Sequence, residues 1–118
     1  MITGAVDADG APVISLSVAG RTWKAIIDTG FNGDLELPQA LGPSVNARFF
    51  GRGRANLAGG QAIEEEYYLV DFPFDGSTVR ALASFVTGSE ILIGTRLLQD
   101  HRLEIDFPAR KVSLSRTL

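Results

Sequence analysis

The sequence predicts an all-β fold, and three observations carry that reading. Short runs rich in β-branched and aromatic residues recur along the chain, each closed by Gly, Pro, Asp or Asn. Turn dipeptides, Asp9-Gly10, Ala19-Gly20, Asp75-Gly76, Thr87-Gly88 and Pro108-Ala109, fall between successive runs, where hairpin connections belong. Only Gly94 to His101 offers straight-chain residues uninterrupted by further Gly or Pro, with Thr95 able to cap the start of a helix.

Strands are therefore expected near residues 13–18, 22–27, 34–37, 48–57, 61–72, 78–87, 90–93, 102–107 and 111–115, with a helix of two turns at most over 94–101. Segments 48–57 and 61–72 read as one long hairpin with Leu57-Ala58-Gly59-Gly60-Gln61 at its tip. If Ala58, Gly59 and Gly60 form the turn, Leu57 pairs with Gln61, Arg54 stands opposite Glu64 and Arg52 opposite Glu66. Each such pair contributes roughly 0.2–1 kcal/mol, less where exposed. Glu64-Glu65-Glu66 reads equally well as a solvated edge that discourages strand association. Four of the thirteen glycines fall between Gly51 and Gly60, which predicts a mobile segment.

The 118 residues suffice for one packed core and are too few for two, so a single domain over 1–118 is expected. With 45% hydrophobic and 21% charged residues, the composition is that of a folded globular chain. Net charge is −3 and the eleven basic residues are scattered, which argues against a nucleic-acid partner. Apolar runs such as Ala25-Ile26-Ile27 fall far short of the roughly 20 residues that cross a bilayer. The first residues lack a basic start and an apolar core, and cysteine is absent; a cytoplasmic location is expected.

The informative stretch runs Trp23-Lys24-Ala25-Ile26-Ile27-Asp28-Thr29-Gly30-Phe31-Asn32-Gly33, where an apolar strand drives straight into an acid, a hydroxyl and a glycine. Alone, the triplet is also what a strand-ending turn looks like: Asp accepts backbone hydrogen bonds and Gly takes a positive φ. Average composition would place Asp, then Thr or Ser, then Gly in roughly one chain in twenty of this length. The context is richer. Leu35-Glu36-Leu37-Pro38 extends beyond the triplet, and Ile91-Leu92-Ile93-Gly94 later supplies a second apolar strand that ends in glycine and enters the expected helix.

Together these parts resemble the retropepsin-like aspartic proteases. The bacterial members are most similar, with Phe31-Asn32-Gly33 after the triplet and a closing strand like Arg102-Leu103-Glu104-Ile105-Asp106-Phe107. The resemblance spans about residues 10–115 and implies a single-lobe, closed barrel with one short helix near the C-terminus. It implies a catalytic role for Asp28, Thr29 and Gly30. The family's chemistry uses two carboxylates sharing one proton, since two about 3 Å apart cannot both ionise cheaply. The triplet occurs once, so the second Asp28 must come from a second chain, making a homodimer. Water activated by the dyad would attack the peptide carbonyl with no cofactor and no metal. Thr29 would hydrogen-bond across the two-fold axis and Gly30 leave room for substrate backbone. Residues 48–70 would form a flap that closes on an extended peptide or unfolded protein. Phe31, Asn32, Leu57, Ala58, Gly59, Gly60 and Ile93 are the candidate substrate-binding residues. The terminal segments, Met1 to Val6 and Val112 to Leu118, would contribute to the dimer interface.

One departure is visible: Thr95 separates Gly94 from Arg96, and Asn32 stands where an acid is common, so the ion pair that braces the viral loop is not expected here. Asp100, His101, Glu104 and Asp106 match no usual metal spacing. His101, the sole histidine, is expected exposed at a helix end, and no Gly-x-Ser-x-Gly elbow or cysteine offers another nucleophile. Two other readings fit the residues: a peptide-binding or dimerisation module on the same fold that cuts slowly or not at all, and an unrelated small β-barrel in which the triplet is incidental.

Overall fold

Alternation along the sequence becomes one-sided burial in the computed structural model, which describes residues 1–117; Leu118 lies outside the described residues. The strands are β1 (Ile2–Val6), β2 (Pro12–Val18), β3 (Arg21–Ile27), β4 (Leu35–Pro38), β5 (Arg48–Asn56), β6 (Ala62–Phe74), β7 (Ser77–Val86), β8 (Ile91–Ile93), β9 (His101–Asp106) and β10 (Lys111–Arg116). In β2, Ile14, Leu16 and Val18 are buried while Ser15 and Ser17 face solvent; in β3, Trp23, Ala25 and Ile27 turn inward. Ala19-Gly20 and Asp75-Gly76 each form a two-residue connection with both φ angles positive, the geometry whose twist suits a tight hairpin.

All ten strands lie in one sheet, ordered β5-β6-β7-β4-β8-β3-β2-β1-β10-β9. Most neighbours are antiparallel; β3 with β8 and β4 with β7 are parallel. The expected closure into a barrel is not formed by hydrogen bonding, because β5 and β9 each remain an edge. β5 runs out along a solvated hairpin, with Arg52 and Arg54 exposed, rather than curling back over the core toward β9.

β1 was not foreseen, because Gly4 and a short apolar pattern give little strand signal. Its place is tertiary: β10 pairs with it on one side and β2 on the other. The two terminal strands, expected at a dimer interface, thus have their ladder edges filled within the chain; β9 carries the free edge at this end.

The expected helix is shorter than two turns. It is a 3₁₀ turn, Thr95–Leu98, with no side-chain cap from Thr95, since the N–H groups that open it are taken by carbonyls of residues 31 and 33. A second 3₁₀ turn, Gln39–Ser44, follows β4 and was not anticipated. Because β9 begins at His101, that side chain alternates inward with Leu103 and Ile105. The His101 side chain is 6% exposed, its Nε2 lies 3.0 Å from Asp75 Oδ2, and its ring sits 5.3 Å from that of Phe74. This corrects the expectation of an exposed histidine.

The core crosses the middle of the sheet as a row of paired residues, Ile27, Ile93, Leu35 and Ala83, none more than 2% exposed. The opposite face carries Ile26, Leu92, Glu36 and Ser84 in the same register. Three of those four are only half-buried, so this face opens toward the surface. No helix among the described residues is long and apolar enough to cross a membrane.

Candidate active site

Parallel pairing decides where Asp28 sits. Ala25, Ile26 and Ile27 stand level with Ile91, Leu92 and Ile93, so β3 and β8 end together and Asp28 emerges beside Gly94. The Asp28 N–H donates to the Ile93 carbonyl at 2.9 Å. β4 then returns antiparallel along the far side of β8, pairing Leu35 with Ile93, which forces residues 28–34 to wrap over the end of β8. Three backbone bonds fasten that loop: Gly94 N–H to the Asp34 carbonyl (2.9 Å), Thr95 N–H to that of Phe31 (2.8 Å) and Arg96 N–H to that of Gly33 (3.2 Å). Gly94 must be glycine, because a Cβ there would overlap the Gly33 carbonyl oxygen and come within 2.8 Å of the Phe31 ring.

Within the loop, Asp28 organises its own turn. Gly30 N–H donates to Asp28 Oδ1 at 2.9 Å, and Phe31 N–H to the Asp28 carbonyl at 3.1 Å. The second carboxylate oxygen has no partner among the described residues. Asp28 is half-buried; Thr29 and Gly30 are exposed, and the Thr29 hydroxyl makes no hydrogen bond among the described residues. Phe31 lays its ring against Gly33 and Gly94, filling the space their missing side chains leave.

Two acids near the triplet were missed from sequence. Asp34 Oδ2 accepts the Leu82 N–H at 2.9 Å, tying the loop to β7. An acid just ahead of a strand is a backbone-acceptor signal, but its donor lies 48 residues away and could not be read. Glu36 stands on the open face in register with Leu92, the neighbour of Ile26. Burial first, then the charges of Glu65 and Asp28, raise its carboxyl above the usual range. Strict alternation in 34–37 would have marked Glu36 as facing away from Leu35 and Leu37; nothing local said that it feels the charge of Asp28.

The long hairpin has the expected register. Leu57 N–H bonds to the Gln61 carbonyl at 2.7 Å, Gly60 takes φ +82° in the three-residue turn, and Arg54 and Arg52 stand opposite Glu64 and Glu66. Arg52 reaches Glu66 at 3.5 Å, but Arg54 and Glu64 form no ion pair. Arg54 instead lines a cavity shared with Gly30, Phe31 and Asn32. Leu57, Ala58, Gly59 and Gly60 are exposed at the tip. Ile93, expected to line a subsite, is fully buried in the core; strand alternation gives the open face to Leu92.

Chemically, the site offers one carboxylate at a loop mouth with an oxygen free to take a proton from water. No second carboxylate lies within hydrogen-bond reach of it in the chain among the described residues. No group of three or more His, Cys, Asp or Glu able to hold a metal occurs among them either.

Among solved structures, the chain is similar to a retropepsin-like aspartic protease from Rickettsia conorii, at 17% identity and TM-score 0.67, over 98% of this chain and 89% of that one. It is also similar to the Simian Foamy Virus (mac) protease, at 18% identity and TM-score 0.56, over 74% of this chain and 91% of that one. A third match is the foamy viral protease-reverse transcriptase in complex with an RNA/DNA hybrid, at 15% identity and TM-score 0.61, over 80% of this chain and 13% of that one. No protein-family profile and no curated protein matches. What is common at these identities is the fold: the chain has the retropepsin-like fold, mostly β with almost no helix.

Proposed function

We propose that the chain, as one domain over 1–118, is half of a homodimeric aspartic endopeptidase in which Asp28 of two copies shares a proton. The observation that carries this reading is the fixed position of Asp28, held beside Gly94 at the level ends of two paired strands. One Asp28 oxygen is committed to Gly30 N–H and the other is left open. In a dimer the ionised member takes a proton from water, the water attacks the peptide carbonyl, and the protonated member stabilises the charge that develops on oxygen. The exposed Thr29 hydroxyl is available to cross the two-fold axis. The β5–β6 hairpin acts as a flap over an extended peptide, with Phe31, Asn32 and Leu57 to Gly60 contacting it and Leu92 replacing Ile93 on the subsite wall. The protein works in the cytoplasm on peptides or unfolded chains.

The test pairs cleavage of a denatured protein with sedimentation equilibrium, for wild type and Asp28→Asn. Wild type should be dimeric and cleave, and the variant should lose at least about a thousandfold in kcat while remaining folded. Full activity in the variant, or a wild type monomeric at assay concentrations, would refute the proposal. Unchanged peptide affinity with no product over a broad pH range would favour the non-catalytic binding module instead.

A further inference from the structure

Beside the triplet, between the loop of residues 30–35, strand β5 and the 3₁₀ turn Thr95–Leu98, lies a cavity of about 550 Å³. Three arginines line it, Arg52 and Arg54 from β5 and Arg96 from the turn, against one carboxylate, Asp34. The Leu82 N–H bonded to Asp34 is a neutral donor, so the carboxylate still offsets one of the three positive charges. Arg52 has Glu66 at 3.5 Å, with both side chains half exposed or more. Arg54 and Arg96 have no ion pair among the described residues. With Asp34 and the Glu66 partner of Arg52 counted, the cavity still carries an excess of positive charge in a chain whose net charge is −3.

Position gives that charge a purpose. Gly30 lines the same cavity, and its N–H is bonded to Asp28 Oδ1 at 2.9 Å, so the cavity begins next to the reacting carboxylate. The rings of Phe50 and Tyr67 complete the wall, and the Tyr67 hydroxyl donates to Glu65 at 3.0 Å. β5 is an edge of the sheet, able to accept an extended peptide as an added strand. Guanidinium forks bind carboxylates with two parallel hydrogen bonds, a geometry that ammonium groups do not match.

We propose that this cavity is a specificity subsite for an aspartate or glutamate side chain of the substrate, a few residues from the scissile bond, bound by Arg54 and Arg96. The inference rests on the peptidase reading for its substrate and names a preference that reading leaves open. Asn32 lines the same cavity and brings no charge to it.

The experiment uses fluorogenic decapeptides that share an apolar Leu-Phe centre and carry either Glu or Gln at one position two to four residues away. Cleavage is measured with wild type, and binding of the same peptides by anisotropy with Asp28→Asn. At one position the Glu peptide should be preferred roughly tenfold in both readouts, fading as salt is raised. The Arg54→Gln/Arg96→Gln double variant should bring that ratio within about twofold. A ratio near one at every position in the binding readout overturns the subsite, as does a preference that survives the double substitution. Absence of any cleavage by wild type counts against the peptidase reading alone, because the binding ratio still decides the subsite. Displacement of the Glu peptide by a short oligothymidylate of lower concentration would overturn it in favour of a phosphate backbone.

Discussion

Replacing Gly94 by alanine probes the joint that positions Asp28. The added Cβ would overlap the Gly33 carbonyl oxygen and stand 2.8 Å from its carbon, whereas unstrained carbon contacts lie near 3.5–4.0 Å. The loop must therefore retreat by roughly 1 Å, since the obstacle is backbone and cannot rotate away. Overpacking of that kind costs about 1–3 kcal/mol. The same retreat stretches the bonds from Gly94, Thr95 and Arg96 to the loop, each contributing about 0.5–1.5 kcal/mol. If stretching forfeits about half of what those three bonds contribute, the total is about 2–5 kcal/mol, a large share of the roughly 5–15 kcal/mol that usually holds a domain together. Gly33→Ala is the control: its Cβ also comes within 2.7 Å of an atom, but that atom belongs to the half-buried Phe31 ring, which can swing aside. Urea denaturation should place Gly94→Ala at least about 1.5 kcal/mol below Gly33→Ala, and cleavage should fall with it. Equal midpoints for the two variants, or full activity in Gly94→Ala, would refute the reasoning.

Glu36→Gln tests the acid on the open face whose carboxyl is raised by burial. A folded-state value raised above the ordinary 4.5 means the fold holds that proton more tightly than the unfolded chain does. The stability this supplies is complete below pH 4.5 and disappears as pH rises through the folded value. The glutamine variant should therefore gain on wild type in urea midpoint between acidic and neutral pH; a constant difference would contradict the shift. His101→Leu keeps the volume but strips Asp75 of its partner, and should cost about 1–3 kcal/mol in thermal or urea unfolding. A loss below about 0.5 kcal/mol would mean that the buried pair contributes nothing net.

The all-β class, nine of the ten strands, the tight Asp75-Gly76 connection and the register of the long hairpin were legible in the chain because they depend on local chemistry. Alternation sets which residues of a strand share a face, and a three-residue Ala58-Gly59-Gly60 turn fixes which arginine opposes which glutamate. The triplet at Asp28 was legible for the same reason: an acid, a hydroxyl and a glycine after an apolar run are contiguous.

What the sequence by itself could not determine is everything that depends on partners far away along the chain. β1 exists because β2 and β10 flank it; Asp34 matters because Leu82 presents its N–H; His101 is buried because Asp75 and Phe74 arrive beside it. The exchange of Ile93 for Leu92 on the open face, and the gathering of Arg52, Arg54 and Arg96 into one cavity, follow from strand order, which only tertiary packing sets. Local propensity acts over a few residues, whereas strand order is chosen by burying one face of every strand in a common core. That choice brings Asp28 to the end of β8.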